Sequence, residues 1–138
     1  MKAVLFLFAL FLAVPLLVQA DTCGGNCPSN DCSSCPCGYS SSYVDVGSAC
    51  SQFSGWDQGC CQCIANHESG GNLNAANQNY DGSYDIGLWQ INDQNWGQCS
   101  GGNAPCDFNS NLNCAIKVWS WGGNSFRLWS TCSACGCC

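Results

Sequence analysis

Sixteen cysteines among 138 residues commit this chain to a disulfide-stapled scaffold, since cysteine above roughly 8–10% marks that class in a short secreted protein. All sixteen lie between Cys23 and Cys138, and the even count allows up to eight bridges. Such staples compensate for the modest core of a small domain. They also require an oxidising compartment, and the first twenty residues read as the leader that reaches one. Lys2 supplies the positive start, Ala3 to Val18 is apolar, and Val18-Gln19-Ala20 is a small-residue cleavage site. The expected mature chain starts at Asp21. The leader's apolar run is short for a bilayer span, and no later stretch is long enough to be one. Zinc on Cys32-x2-Cys35 or Cys61-x-Cys63 is the weaker reading, because the chain is routed for secretion and has one histidine, His67. No metal and no cofactor is expected.

Charge narrows the partners. Past the leader only Lys117 and Arg127 are cationic, against nine acidic residues, a net of −7. Nucleic acid, whose binding depends on Lys and Arg displacing counterions, is excluded on that ground, and so is an anionic membrane. No Asn-x-Ser/Thr triplet occurs, so N-glycosylation is not expected. A monomer is expected.

The chain divides into a leader over 1–20, a Cys-rich segment over 21–49 and a main domain over 50–138. In 21–49, Cys23, Cys27, Cys32, Cys35 and Cys37 fall among Gly, Ser, Asn and Pro, with neither a helical nor a strand period. This reads as a loop-rich arm packed beside the main domain. Its tyrosines Tyr39 and Tyr43 make carbohydrate binding the alternative. In the main domain, Cys60, Cys63, Ile64 and His67 repeat on one face of a helix from Trp56 to Glu68. Asp57 supports its start and Gly70-Gly71 stops it. Asn77 to Asn92 reads as a hairpin or small sheet around the Asp81-Gly82 turn. A second helix is expected over Asn109 to Ser120 and a short one over Phe126 to Cys132. Helices flanking a small sheet give an α+β fold with a groove between the helical and β parts.

Glu68 is the sole glutamate of the chain, and it ends the first helix. Asp85 follows seventeen positions later, within the hairpin. Alone, each has an ordinary explanation, as a solvated helix end and a turn former. Together they are how two carboxylates come to face one another across a cleft, and such a pair can break a glycosidic bond.

The motifs around the pair agree. Cys63-x4-Glu68-Ser69, Asn77-x-Asn79-x-Asp81-Gly82-Ser83-x-Asp85-x-Gly87, Gln90-Ile91-Asn92 and Trp96 follow one another without a gap. Asn113-Cys114-Ala115-Ile116-Lys117 and Trp129-x2-Cys132 come later. This pattern resembles the c-type lysozymes, the lysozyme/α-lactalbumin family, over roughly Trp56 to Cys132. The resemblance implies a lysozyme-like fold, mainly helical with a small β-hairpin subdomain and a cleft. It implies Glu68 as general acid and Asp85 as nucleophile or charge stabiliser, with Asn79 orienting Asp85. Gln90, Asn92 and Trp96 would bind sugar, and Phe126 (or Trp121) would be the aromatic packed on the acid. The implied substrate is bacterial cell-wall peptidoglycan, cut between N-acetylmuramic acid and N-acetylglucosamine, with chito-oligosaccharides as a further candidate. The implied setting is secreted, or the lumen of a lysosome, phagosome or vacuole. By the same analogy Cys63 would pair with Cys132. The segment from Cys99 to Cys114 is short for the family, the C-terminal helix is missing, and the N-terminal cysteine cluster has no counterpart.

Two rivals stand beside it. Glu68-Ser69-Gly70 with Gly87-Leu88-Trp89-Gln90-Ile91 also fits lytic transglycosylases, which act with one carboxylate. A non-catalytic, lactalbumin-like binding protein is the other. A calcium loop beginning at Asp81-x-Ser83-x-Asp85 fails, because Ile86 and Asn92 stand where Gly and Glu are needed. No Gly-x-Ser-x-Gly elbow exists. Since bacterial walls are anionic and the mature chain is acidic, like charges slow encounter, and an acidic pH optimum is expected.

Overall fold

A computed structural model describes residues 22–138; the expected leader over 1–20 and Asp21 lie outside the described residues. Short helices α1 (Val46–Cys50) and α2 (Gln58–Ser69) lead into strands β1 (Ala76–Gln78), β2 (Tyr84–Ile86) and β3 (Ile91–Asn92). Helices α3 (Trp96–Cys99), α4 (Phe108–Trp121) and α5 (Cys132–Cys135) follow. The fold is the expected α+β arrangement.

Local sequence sets the ends of α2. The Asp57 side chain accepts from Cys60 N–H, and Gly70 closes the helix with a left-handed φ of 60°, the usual glycine stop. The buried face differs from the expected one. Cys61, Ile64 and Ala65 are buried and His67 is exposed, because Cys60 and Cys63 turn aside to bridge the C-terminal tail. Helix α4 starts at Asp107, which accepts from Ser110 N–H, and buries Leu112, Ala115 and Val118. The expected helix over Phe126 to Cys132 is instead a run of turns, with Trp129 N–H on Phe126 O at 2.9 Å. Left-handed Gly123 and Asn124 lead into it, and Phe126 and Trp129 both turn into the core. Helix begins only at Cys132.

The sheet is antiparallel in the order β1-β2-β3, with Asn77 opposite Asp85 and Asp85 opposite Asn92. Asp81 makes the first turn by accepting from the Ser83 N–H and hydroxyl, with Gly82 in the left-handed region. Behind Asp85 the chain turns tightly at Gly87 (φ 83°), where a Cβ would lie 2.2 Å from the Asn111 amide. Asn111 is fully buried and knits this turn to α4. It accepts from Trp89 N–H and donates to Ile86 O and Pro105 O.

Two apolar clusters result among the described residues. The main one holds Trp56, Ile64, Leu88, Trp89, Leu112, Phe126 and Trp129 between α2, α4 and the β3 approach. The smaller one joins Cys23, Cys27 and Cys32 to Ala76 and Ile86, so the Cys-rich segment packs on the sheet. Asn26 ties that joint together. It is fully buried, donates to Gly38 O, accepts from Ser41 and Asn72 side chains, and takes Ala76 N–H on its backbone carbonyl.

All sixteen cysteines are bridged and none is free. The pairs are Cys23–Cys35, Cys27–Cys32, Cys37–Cys106, Cys50–Cys61, Cys60–Cys137, Cys63–Cys135, Cys99–Cys114 and Cys132–Cys138. The Cys63–Cys132 pairing expected by analogy does not form. The tail turns back at left-handed Gly136, so Cys138 reaches Cys132 while Cys135 faces Cys63. With every thiol oxidised, the zinc reading has no thiolate to rest on.

Candidate active site

Glu68 stands in the last turn of α2, half-buried. The next residue, Ser69, anchors that turn by donating to Leu88 O at 2.8 Å and Ala65 O at 3.2 Å. Thr131, far along the chain, donates its hydroxyl to Glu68 Oε1 at 2.6 Å. Burial raises the Glu68 carboxyl above its ordinary value. The Thr131 hydrogen bond draws it back, the nearby Asp85 charge raises it further, and His67 opposes the rise. Desolvation disfavours the charged form, which is how a carboxylic acid keeps its proton in a groove.

Asp85 sits at the centre of β2 and is fixed by three asparagine amides. Asn79 and Asn77 donate to Oδ2 at 2.9 and 3.4 Å, and Asn92 donates to Oδ1 at 2.9 Å. The register delivers them: Asn77 and Asn92 are the direct cross-strand partners of Asp85 on either side. Asn79 and Asn92 also bond Ser83 Oγ. Asn79, the residue that the resemblance implies as orienting Asp85, is thus one of three donors to it. Asn92 spends its amide on Asp85 and its carbonyl on Gln94 N–H, so it holds the carboxylate as well as lining the groove.

Glu68, Asp85, Gln90 and Asn92 line one cavity of about 200 Å³, together with Asn95, Leu128 and Trp129. Gln90 has a left-handed backbone, φ 46°. Its amide pins that conformation by donating to Ala75 O and Gly87 O, as strained residues require from their surroundings. Two expected lining residues are elsewhere. Trp96 is half-buried between the two apolar clusters and donates its indole N–H to Ile91 O. Phe126 is a core residue, 2% exposed and packed on Trp56 and Trp129 with ring centroids 5.7 and 5.3 Å apart. It cannot touch a sugar. Trp121 is exposed and does not line this cavity. The aromatic that lines this cavity with Glu68 is Trp129, fixed by its indole N–H on Trp89 O at 2.8 Å. The Trp129-x2-Cys132 spacing is the one sequence sign of it; Asn77 stands in the Asn77-x-Asn79 motif without a role assigned to it, and Thr131 has no sign at all.

His67 comes close to Cys63 and Cys135, but those sulfurs are bonded to each other and offer no metal ligand.

An acid at a helix end and an asparagine-held carboxylate, facing a groove in a disulfide-stapled α+β fold, define a lysozyme-like protein. A family model described as a lysozyme-like domain matches residues 47–131, and the chain belongs to that family. Lysozyme C-1 of Anas platyrhynchos is 40% identical over 69 residues, 49% of this chain. That match covers 46% of the duck protein. This chain is accordingly a divergent relative of the c-type lysozymes, as its motifs suggested.

Proposed function

We propose that the chain is a lysozyme-type glycoside hydrolase that cleaves the β-1,4 bond between N-acetylmuramic acid and N-acetylglucosamine in bacterial peptidoglycan. Glu68, carried upward by burial, gives its proton to the leaving glycosidic oxygen. Asp85 attacks or shields the developing positive charge at the anomeric carbon. Glu68 then serves as base for the incoming water, with net retention. Lysozyme is itself the type case for this two-carboxylate scheme, and the roles here are taken from it. The observation that carries the reading is a desolvated Glu68 sharing one groove with an Asp85 gripped by three amides. Eight bridges support a secreted or lysosomal, phagosomal or vacuolar setting.

Product analysis on purified peptidoglycan is the test. Reducing ends without anhydromuramyl sugars are expected. Anhydromuramyl ends would make the chain a lytic transglycosylase, and binding without any product would make it lactalbumin-like. The second carboxylate in the groove supports hydrolysis over the transglycosylase route.

Thr131 should tune this chemistry. Its hydroxyl stabilises the charged form of Glu68, so removing it raises the pKa of the acid. Activity that needs protonated Glu68 is lost as pH climbs through that pKa. In Thr131→Val the alkaline limb of the kcat/KM profile therefore shifts to higher pH. An unmoved limb would mean that another group sets it.

A further inference from the structure

The groove has a second and larger cavity, about 570 Å³, within the roughly 300–1,000 Å³ of small-molecule sites. It shares Glu68, Asp85, Gln90 and Ser130 with the first. The two carboxylates thus stand where the cavities meet. A polymer threaded through both would present one bond at the junction, with its units on either side held by different walls.

One of those walls comes from the Cys-rich segment, through Gly25, Asn26, Pro28, Ser29 and Tyr43. It is rigidly set. The Cys27–Cys32 bridge closes the loop that carries Pro28 and Ser29, and buried Asn26 bonds that loop to Asn72 and to β1. Tyr43 forms an isolated antiparallel bridge with Asn72, and Val44 N–H bonds Gly71 O at 3.0 Å. Its backbone is therefore fixed to the loop that leaves α2 three residues beyond Glu68. Its side chain is nonetheless 70% exposed.

An aromatic ring on a fixed backbone offers contact area at low entropic cost, and tyrosine pairs an apolar face with a polar tip. That combination suits a pyranose, with its C–H faces and hydroxyl edges. Asn77, Ser69 and His67 add uncharged or weakly basic polar groups, and neither Lys117 nor Arg127 lines the cavity. The lining therefore favours a neutral sugar over an anionic ligand.

We propose that the Cys-rich segment builds a subsite for N-acetylhexosamine units on one side of the cleaved bond, with Tyr43 as the ring on which a sugar stacks. This rests on the glycosidase reading above and names the part of the chain that extends its substrate grip.

The test uses the mature chain carrying Glu68→Gln, so that a chitin hexasaccharide stays intact while backbone amide NMR shifts are followed. Shifts at Gly25, Ser29 and Tyr43 together with Asn92 and Asn95 are expected. By calorimetry, adding Tyr43→Ala should weaken hexasaccharide binding by about tenfold, while Tyr43→Phe keeps most of the affinity. Shifts confined to Asn92 and Asn95, or an undiminished affinity in Tyr43→Ala, would overturn the subsite and leave the glycosidase reading standing. No shift anywhere would overturn both.

Discussion

Glu68→Gln should cut peptidoglycan hydrolysis by about a thousandfold, in the middle of the range for a lost general acid, while the fold is kept. Glutamine has the same shape, and its amide carbonyl can still accept the Thr131 hydroxyl that now bonds Glu68. What it cannot do is release a proton to a leaving oxygen. Turbidity loss of a bacterial-wall suspension and reducing-end release should fall together. Stability gives an independent readout. Burial raises the Glu68 pKa above its unfolded value, so the stability tied to its protonated form is full below the unfolded value. It is lost as pH rises through the folded one. The glutamine variant lacks that dependence and should gain in Tm relative to wild type on going from mildly acidic to neutral pH. Activity within tenfold of wild type would remove Glu68 from the acid role.

The parts of this molecule that could be read from the chain are those governed by neighbours in sequence. Asp57 before an apolar run and Gly70 after it delimit α2 because capping and a left-handed stop are local events. Asp81-Gly82 announces its turn for the same reason, and the carboxylates follow because the helix end and the hairpin were both legible. What could not be read depends on distant pairings. Asn26 and Asn111 look like loop and helix-surface residues, yet each is buried and closes a network spanning the fold. Thr131 lies 63 positions from Glu68, and nothing local marks it. The helical period of Cys60, Cys63, Ile64 and His67 was real, but cysteine faces its bridge partner and not only the core. The buried face of α2 is therefore offset by about one residue from that period. The resemblance points to Phe126, or Trp121, as the aromatic on the acid, but packing buries Phe126 in the core, leaves Trp121 exposed and puts Trp129 in the groove.

Breaking both bridges that hold the tail to α2 should cost more than breaking either, and the excess tests how the acid is positioned. Cys60–Cys137 and Cys63–Cys135 close loops of 77 and 72 residues from adjacent turns of one helix. By the chain-entropy account a loop of that length contributes about 4–5 kcal/mol, a large share of the roughly 5–15 kcal/mol that keeps a domain folded. With one bridge removed, the other still closes nearly the same loop. Cys63→Ser/Cys135→Ser alone should therefore lower Tm modestly. Replacing all four cysteines by serine should lower it by about 15–20 °C, well beyond the sum of the two separate losses. The chemistry should follow. The same bridges anchor α5, directly after Thr131, and so keep the Thr131 hydroxyl on Glu68. Well below its new Tm, the four-serine chain should show the alkaline-limb shift expected of Thr131→Val. Additive losses in Tm would show that the two bridges restrain different parts of the unfolded chain. An unshifted limb would show that Thr131 finds Glu68 without them.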